Sequence, residues 1–358
     1  MNSLQLHREL VQELATIGIR ATKPQRNNLA LLCQGLAVSA NCHLATLALG
    51  LPIGGQREHL VQRLRRLLKN ERVQPARCYE PLVRHLFAHW TGREVNLVMD
   101  RTDIGDRWSI LMVGAAYRKR VLPLAWDVLS FGGTSAERQI ALLRRVQACL
   151  PSLEQVRVHF YGDSEFRAVP LQQTAKDYSW HWHVGLKSDV LFHTGDGRWQ
   201  PLGALALQPG ERRYLQDVTL TYKHAFGPVN LIADWSPNQK HPRYWSLDQH
   251  ADKHAWRRGR KRFWIEPTFR DWKSYGFDLE TSHIDDPERL NVLLLAMAIT
   301  TLWLIHIGDW LTQHGRRYLL EPPHKNDYSL FRLGRDHIQR ARAVDGKVPV
   351  GFTVSHAA

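Results

Sequence analysis

The order of the apolar segments between residues 95 and 187 constrains the fold of this chain more than any other feature of its sequence. Short apolar or alternating runs predict strands, and segments with apolar residues three or four apart predict helices. The segments are three strands at 95–100, 108–117 and 121–129, a helix at 135–150, a strand at 155–163, a helix at 169–178 and a strand at 179–187. Hairpin strands followed by strand–helix–strand connections predict an α/β fold built on a mixed sheet.

The first 90 residues form a predicted helical region that precedes the sheet. Helical apolar spacing occurs in three segments, 24–38, 41–52 and 56–70, with glycine and proline between them. In the third segment a leucine stripe lies largely opposite an arginine-rich face. Such helices fit a helix-turn-helix DNA reader, and they fit a small bundle with solvated charges nearly as well.

The chain after residue 187 changes pattern twice. Residues 188–250 are rich in glycine, proline and short β-like runs, which predicts a mainly β insertion that projects from the core between the Asp163 strand and the Glu266 helix. Helical spacing then resumes near Glu266 and continues to about residue 312. The last segment, 316–358, is basic and less regular, and we expect a C-terminal tail there.

The charge balance indicates a polyanionic partner. The sequence has 48 Lys and Arg against 34 Asp and Glu, a net charge of +14, and a pI near 9.9. Nucleic acid is the first candidate and an anionic membrane surface the second, and a merely basic soluble protein is the alternative. The apolar segment 292–307 is shorter than the roughly 20 residues of a spanning helix, so we expect a helix buried in the soluble domain.

The cysteines, two histidines and the N-terminus predict neither a zinc site nor a signal peptide. The four cysteines form no Cys-x-x-Cys pair, so no zinc site is predicted from them. His181 and His183 share one face of a predicted strand but have no third ligand nearby in sequence. The N-terminus lacks an apolar signal-peptide core, and we expect a cytoplasmic protein without a membrane partner.

Three carboxylates occupy positions where a metal site could form. Asp100 ends the first predicted strand, Asp163 ends the fourth, and Glu266 begins the late helix. If the first and fourth strands are parallel neighbours, both aspartates lie side by side, and a helix across the sheet could bring in the glutamate. Oxygen ligands of this kind are those that Mg²⁺ prefers. Taken singly, each aspartate is more often a turn former, and the glutamate an ordinary helix ion-pair partner of Arg262 or Arg270.

Basic residues surround Glu266 in the segment 257–273. We expect six of them to hold the phosphates of the nucleic acid that the metal ions would act on. They are Arg257, Arg258, Arg260, Lys261, Arg262 and Lys273. A solvated charged stretch without a ligand is the alternative.

The segment "RFWIEPTFRDWK" resembles part of a known signature. Arg262, Glu266 and Lys273 match the last three positions of the Tyr-(2)-Arg-(3)-Glu-(6)-Lys pattern of DDE transposases of the bacterial insertion-sequence type. "VMDRT" and "YGDSEF" resemble the regions of the first and second aspartates of that family. The tyrosine position departs from the pattern, because it falls at Gly259. The resemblance covers roughly residues 93–310.

The resemblance implies an RNase H-like mixed sheet with flanking helices and a β-rich insertion between the second aspartate and the glutamate. It also divides the chain. The expected parts are an N-terminal helical DNA-binding region at 1–90, the first part of the catalytic core at 91–187, the insertion at 188–250, the second part of the core at 251–315 and the basic tail at 316–358.

The resemblance further implies an activity and its requirements. Asp100, Asp163 and Glu266 would be the catalytic residues and would bind two Mg²⁺ ions, with Mn²⁺ as the substitute. The reaction would be strand cleavage at transposon ends and strand transfer by a cut-and-paste route. The partners would be double-stranded DNA with terminal inverted repeats and a second copy of the chain, assembled on that DNA.

Two alternative functions and one alternative metal ligand stay open. The Gly259 departure leaves room for a nuclease that cuts without strand transfer, and a DNA-binding protein without catalysis is a third possibility. Glu165 follows Asp163 by two residues and could mimic a ligand on the same loop, whereas Glu280, fourteen residues after Glu266, would lie about 21 Å away on a straight helix, too far to join the site. One of five tryptophans in or near the insertion could stack on an extruded base, namely Trp180, Trp182, Trp199, Trp235 or Trp245.

Overall fold

The structure, a computed structural model, describes residues 3–195, 197–322 and 324–355. Within them one ten-stranded mixed sheet is flanked by eleven α-helices. The strands are β1 (Glu94–Ile104), β2 (Trp108–Tyr117), β3 (Arg120–Ser130), β4 (Arg157–Gly162), β5 (His181–Leu186), β6 (Leu191–Thr194), β7 (Gln200–Pro201), β8 (Arg212–Leu220), β9 (Phe226–Asp234) and β10 (Arg243–Leu247). The helices are α1 (Ser3–Thr16), α2 (Lys23–Ser39), α3 (Leu44–Leu49), α4 (Arg57–Leu68), α5 (Pro75–Ala88), α6 (Ala136–Gln147), α7 (Val169–Asp177), α8 (Lys253–Gly259), α9 (Ile265–Arg270), α10 (Pro287–Gln313) and α11 (Leu330–Ala343).

The first five strands form the half of the sheet that positions the aspartates. Their order across the sheet is β3-β2-β1-β4-β5, with β2 antiparallel to both β3 and β1, and β4 parallel to both β1 and β5. This order and direction are those of an RNase H-like fold, as predicted. The long apolar runs of β2 and β3 are buried because α-helices cover the sheet.

The β-rich insertion extends the sheet of the core. Strands β6 to β10 lie within residues 191–247, and β10 pairs antiparallel with β5. We expected the insertion to project from the core, and the structure differs because β5 would otherwise be an open edge with unpaired backbone groups. The continuing order is β10-β9-β8-β6-β7, so the insertion and the core share one sheet.

Helix α10 is the central element of the helical layer. It is 27 residues long, and 89% of its most apolar 18-residue window is buried inside the protein. It is long and apolar enough to cross a membrane, but a helix that is apolar all round also fits a protein core. It packs against α2, α4, α5 and β3, so the N-terminal helices and the sheet share one hydrophobic core. The prediction of a buried helix at 292–307 is confirmed.

The helical region after Glu266 is interrupted, whereas the sequence predicted one run to about residue 312. Helix α9 ends at Arg270 and continues as one π-helical turn, Asp271–Tyr275. A new helix then begins at α10, where the Asp286 side chain accepts a hydrogen bond from the Arg289 N–H. The break is fixed by this cap and by Pro287 in the first turn.

The C-terminal segment is folded onto α10 and is not the tail that we expected. Helix α11 crosses α10 so closely that a Cβ at Gly334 would lie 2.0 Å from the Leu304 carbonyl oxygen. The chain then follows α10, accepting hydrogen bonds from Trp303 Nε1 at the Pro349 carbonyl, and from the His306 ring at the Thr353 carbonyl. The basic composition of this segment led to the expectation of a tail. In the structure, most charges of α11 lie on one face and its apolar residues lie on the opposite, buried face.

If residues 347–355 belong to the core, Phe352→Ala will destabilise the protein. The Phe352 side chain is 1% exposed, so its truncation leaves a cavity and should cost about 3–5 kcal/mol of unfolding free energy. Val344→Ala is the control in the same region, since Val344 is 63% exposed. Thermal or urea unfolding of both variants measures the difference, and equal stability would contradict this packing.

Candidate active site

Asp100 and Asp163 are brought together by the pairing of two parallel strands. Val98 of β1 is paired with Tyr161 of β4, so residues two further along each strand lie at the same level. Side chains alternate between faces with a period of two, which puts both carboxylates on the same face. Asp100 lies inside β1, which runs on to Ile104, and Asp163 directly follows β4.

Glu266 reaches this face from a helical segment that crosses the sheet. Helix α8 begins at the cap Asp252, whose side chain accepts a hydrogen bond from the Ala255 N–H. A 3₁₀ turn, Arg260–Trp264, connects α8 to α9, and its residues contact β1, β2 and β4. Glu266 lies in the first turn of α9.

One guanidinium joins all three carboxylates. Arg262 Nη2 lies 3.4 Å from Asp100 Oδ2 and 3.3 Å from Asp163 Oδ2. Its Nη1 lies 2.8 Å from Glu266 Oε1. Residues separated by 63 and 103 positions, from 163 − 100 and 266 − 163, therefore meet around a single cation.

The site is graded from a buried floor to an exposed rim. The side chain of Asp100 is 12% exposed, that of Asp163 35% and that of Glu266 52%. Burial raises the pKa of Asp100 to about 7, against the opposing effect of the nearby Arg262. Asp163 and Glu266 raise it further, since a like charge disfavours ionisation.

A cavity of about 750 Å³ opens beside the carboxylates. It runs from the core to the insertion, and its polar and aromatic lining includes Asp163, Arg243, Trp245, Arg262 and Glu266. Of the five tryptophans considered above, Trp245 lines this cavity, whereas Trp180 and Trp182 are buried in the core. The cavity gives an extended ligand direct access to the carboxylates.

The donor set fits a hard divalent cation. All three side chains offer carboxylate oxygens, the donors preferred by Mg²⁺, and a cationic group already lies among them. Among the described residues no three His, Cys, Asp or Glu side chains are already arranged as a metal cluster. The guanidinium explains this, because it holds the oxygens that an ion would bind.

The two rival glutamates are engaged elsewhere. Glu165 accepts hydrogen bonds from Arg101 Nε at 3.0 and 3.1 Å and from the Thr134 hydroxyl at 3.2 Å. Glu280 lies beyond the π-helical turn and pairs with Lys273 Nζ at 2.9 Å. Neither contacts Arg262 in the structure, so the geometry favours Glu266.

The six basic residues expected to contact DNA differ in their exposure. Arg257 and Arg260 are exposed on the segment that covers the sheet. Arg258 and Lys261 are turned inwards: Arg258 Nη2 donates to Gln249 Oε1 at 3.0 Å and Lys261 Nζ donates to Asn96 Oδ1 at 3.0 Å. Arg262 and Lys273 are paired with carboxylates, as described above.

A row of polar side chains lies beneath this segment, and only two of them, His181 and His183, were singled out from the sequence. They occupy the same face of β1, β4 and β5 as the aspartates and include Asn96, His159, Tyr161, His181 and His183. The signal was an even spacing along each strand, which puts side chains on the same face. Asn96 precedes Asp100 by four residues, and Tyr161 precedes Asp163 by two. His181 binds Asp248 at 2.6 Å, and burial lowers the pKa of His183 to about 3.

Gly259 departs from the signature because the chain packs closely there. A Cβ at Gly259 would lie 2.3 Å from Cε1 and 2.4 Å from Nε2 of His183. The His183 ring is buried between Tyr161 and Trp245. A tyrosine at position 259 is therefore incompatible with His183 in its present place.

Asp100→Asn should make the protein more stable in EDTA at pH 8. The folded-state pKa of Asp100 is raised above its ordinary 3.8, so the folded protein holds this proton more tightly than the unfolded chain. Its contribution to the free energy of unfolding therefore falls as pH rises from about 4 to about 7. We expect a gain on the order of 2 kcal/mol for the asparagine at pH 8, and little gain at pH 4. Melting curves across this range test it, with Asp106→Asn in an exposed turn as the control; a less stable Asp100→Asn at pH 8 would contradict it.

Gly259→Ala should destabilise the protein by about 1–3 kcal/mol, because the added methyl group meets the His183 ring. Combining it with His183→Ala should cost less than the sum of the two single changes. Urea unfolding of the four-member cycle measures this coupling. Gly133→Ala, where an added Cβ meets nothing within 4 Å, is the control. Strict additivity at 183 and 259 would count against the close packing.

Comparisons with known proteins show the family of this chain. The family model described as "Transposase DDE domain" matches residues 101–303, more than half of the chain, and this range contains Asp163 and Glu266. No curated protein matches the chain by sequence. Among solved structures, a piggyBac transposase synaptic complex with hairpin DNA, from cryo-EM, is similar with 11% identity and a TM-score of 0.44, over 94% of this chain and 84% of that chain. By the match of the family model, the chain belongs to the DDE-domain transposases.

Proposed function

We propose that this transposase cuts DNA at transposon ends and transfers the freed strand, with Asp100, Asp163 and Glu266 as catalytic residues. The observation that carries the proposal is the convergence of these three carboxylates on one cationic group. They come from three separate elements, β1, the end of β4 and α9, and an arrangement with only structural use would not need all three. The reaction follows a cut-and-paste route, and two copies of the chain act together on DNA with terminal inverted repeats.

The carboxylates are the residues that would hold divalent cations. Two Mg²⁺ ions, or Mn²⁺ in their place, would supply Lewis-acid activation of the attacking oxygen and stabilisation of the leaving one. Asp100, on the buried floor, fixes the depth of the site, and Glu266, on the rim, faces the incoming phosphodiester. Asp163 lies between them and borders the cavity.

The basic residues hold the DNA. Arg257 and Arg260 are exposed and would contact backbone phosphates without reading sequence, so binding should weaken as salt rises. Arg258 and Lys261 are bonded to Gln249 and Asn96, and their role is to hold the helical segment against the sheet. Lys273 is free to approach a phosphate only after it leaves Glu280.

A nuclease that cleaves without strand transfer is the second candidate. The observation that favours it is the close contact of Gly259 with His183, which excludes the signature tyrosine. Incubation of the protein with Mg²⁺ and DNA carrying the sequences that flank its gene separates the two. A joined product supports the transposase, and cut ends that never join support the nuclease.

Glu266→Gln should abolish divalent-dependent strand cleavage while leaving DNA binding largely intact. Glutamine keeps the size and hydrogen bonding of the side chain but removes the charge that would hold the cation, so we expect a loss of at least about 100-fold. Glu280→Gln removes only a partly exposed ion pair and should change the rate by less than about fivefold. Cleavage and gel-shift assays on the same preparations measure both properties. Cleavage by Glu266→Gln at the parental rate, or a dead Glu280→Gln, would overturn the assignment of the third carboxylate.

A further inference from the structure

Arg262 occupies an unusual position for a residue expected to bind phosphate. Its side chain is 16% exposed and contacts three carboxylates at once. Its Nε is buried and has no hydrogen-bond partner in the part of the chain that the structure describes. Nη1 and Nη2 of the guanidinium are therefore paired with carboxylates, whereas the Nε–H donor makes no hydrogen bond among the described residues.

Arg262 and a divalent ion compete for the position between the three carboxylates. An ion that bridged these oxygens at about 2.0–2.1 Å would occupy the space where the guanidinium now lies. The two cations also repel each other at short range. With one arginine among three carboxylates the site carries a formal charge of −2, from +1 − 3, so it still attracts a further cation.

The cavity beside the carboxylates has room for a second position of the Arg262 side chain. Arg262 itself lines the cavity of about 750 Å³, with Arg243 and Trp245 on the insertion side. The neighbouring Phe263 ring already lies 4.9 Å from the guanidinium carbon and can support a cation over its face. An anion in the cavity would pair with the guanidinium and satisfy its free donors.

We propose that Arg262 is the resident counter-cation of the unloaded site and that divalent ions bind only when its side chain leaves the carboxylates. The released guanidinium then binds a DNA phosphate in the adjoining cavity. DNA and divalent ions therefore bind cooperatively, because each removes Arg262 from the reach of its competitor. This inference rests on the proposed function, since it assumes that the three carboxylates hold the ions.

The mutual effect of DNA and divalent ions on each other's affinity can be measured. If DNA raises the affinity for divalent ions, the ions raise the affinity for DNA by the same factor, and couplings of this type span about 5- to 150-fold. Removing the Arg262 guanidinium removes the competitor. Without DNA, the variant should therefore bind ions more tightly than the parent, whereas a residue that only binds phosphate would leave this affinity unchanged.

The test is Mn²⁺ binding to the full-length protein without DNA, measured by the electron paramagnetic resonance signal of free Mn²⁺. We expect Arg262→Gln to bind Mn²⁺ about tenfold or more tightly than the parent. Arg270→Gln is the matched control, an exposed arginine four residues after Glu266, and should bind like the parent. A duplex with the flanking sequences should raise the affinity of the parent but not that of Arg262→Gln.

Two further variants make the outcome decisive. Arg262→Lys keeps the charge but cannot bridge three carboxylates, so it should also bind Mn²⁺ more tightly than the parent, and it covers the case in which the glutamine variant does not fold. Asp163→Asn should lose the Mn²⁺ site. If Asp163→Asn loses binding but both Arg262 variants bind no more tightly than the parent, the inference is wrong and the proposed function stands. If no protein binds Mn²⁺ even with DNA present, the proposed function itself fails.

Discussion

The parallel pairing of β1 with β4 is the constraint on which the rest of the site depends. It places Asp100 and Asp163 at one level of one face, although 63 residues separate them. The connection between these strands includes two hairpin strands and α6, so the pairing is closed by a long loop whose entropy only a large core can offset. That core is supplied by α10, which packs on the sheet and joins the N-terminal helices to it.

The helical segment over the sheet buries polar side chains, and hydrogen bonds among them offset the free-energy cost of that burial. It covers a row of polar side chains, and burying such groups without partners is unfavourable. Lys261, Asn96 and Tyr161 satisfy one another, since Asn96 Oδ1 accepts from both the ammonium and the phenol. The His159 Nε2 atom, by contrast, is buried without a hydrogen-bond partner among the described residues, and Glu94 Oε1 lies 3.9 Å from it. The segment that carries Glu266 is thus held by specific hydrogen bonds as well as by the apolar packing of Ile265 and Phe269.

Local patterns were enough to predict the strands of the core, the helix α6 and the burial of α10. They indicated Asp100, Asp163 and Glu266 as candidates, and the resemblance to the transposase family joined the three into one predicted site. The pattern did not indicate where β1 ends, since Arg101 and Asp103 look like turn residues but form an ion pair within the strand. Nor could it show that Lys261 points inwards, because its partners Asn96 and Glu94 are more than 160 residues away. The attachment of the C-terminal segment and the continuity of the sheet likewise rest on contacts between distant residues.

The continuity of the sheet has a mechanical consequence. Strands in a sheet lie about 4.8 Å apart, so the five steps from β5 to β7 span about 24 Å measured along the sheet. A separate domain on a flexible linker could vary its distance from the carboxylates, but strands joined by backbone hydrogen bonds cannot. The far end of the insertion is therefore held at a fixed distance from β5, and through β5 from the neighbouring strand that Asp163 directly follows.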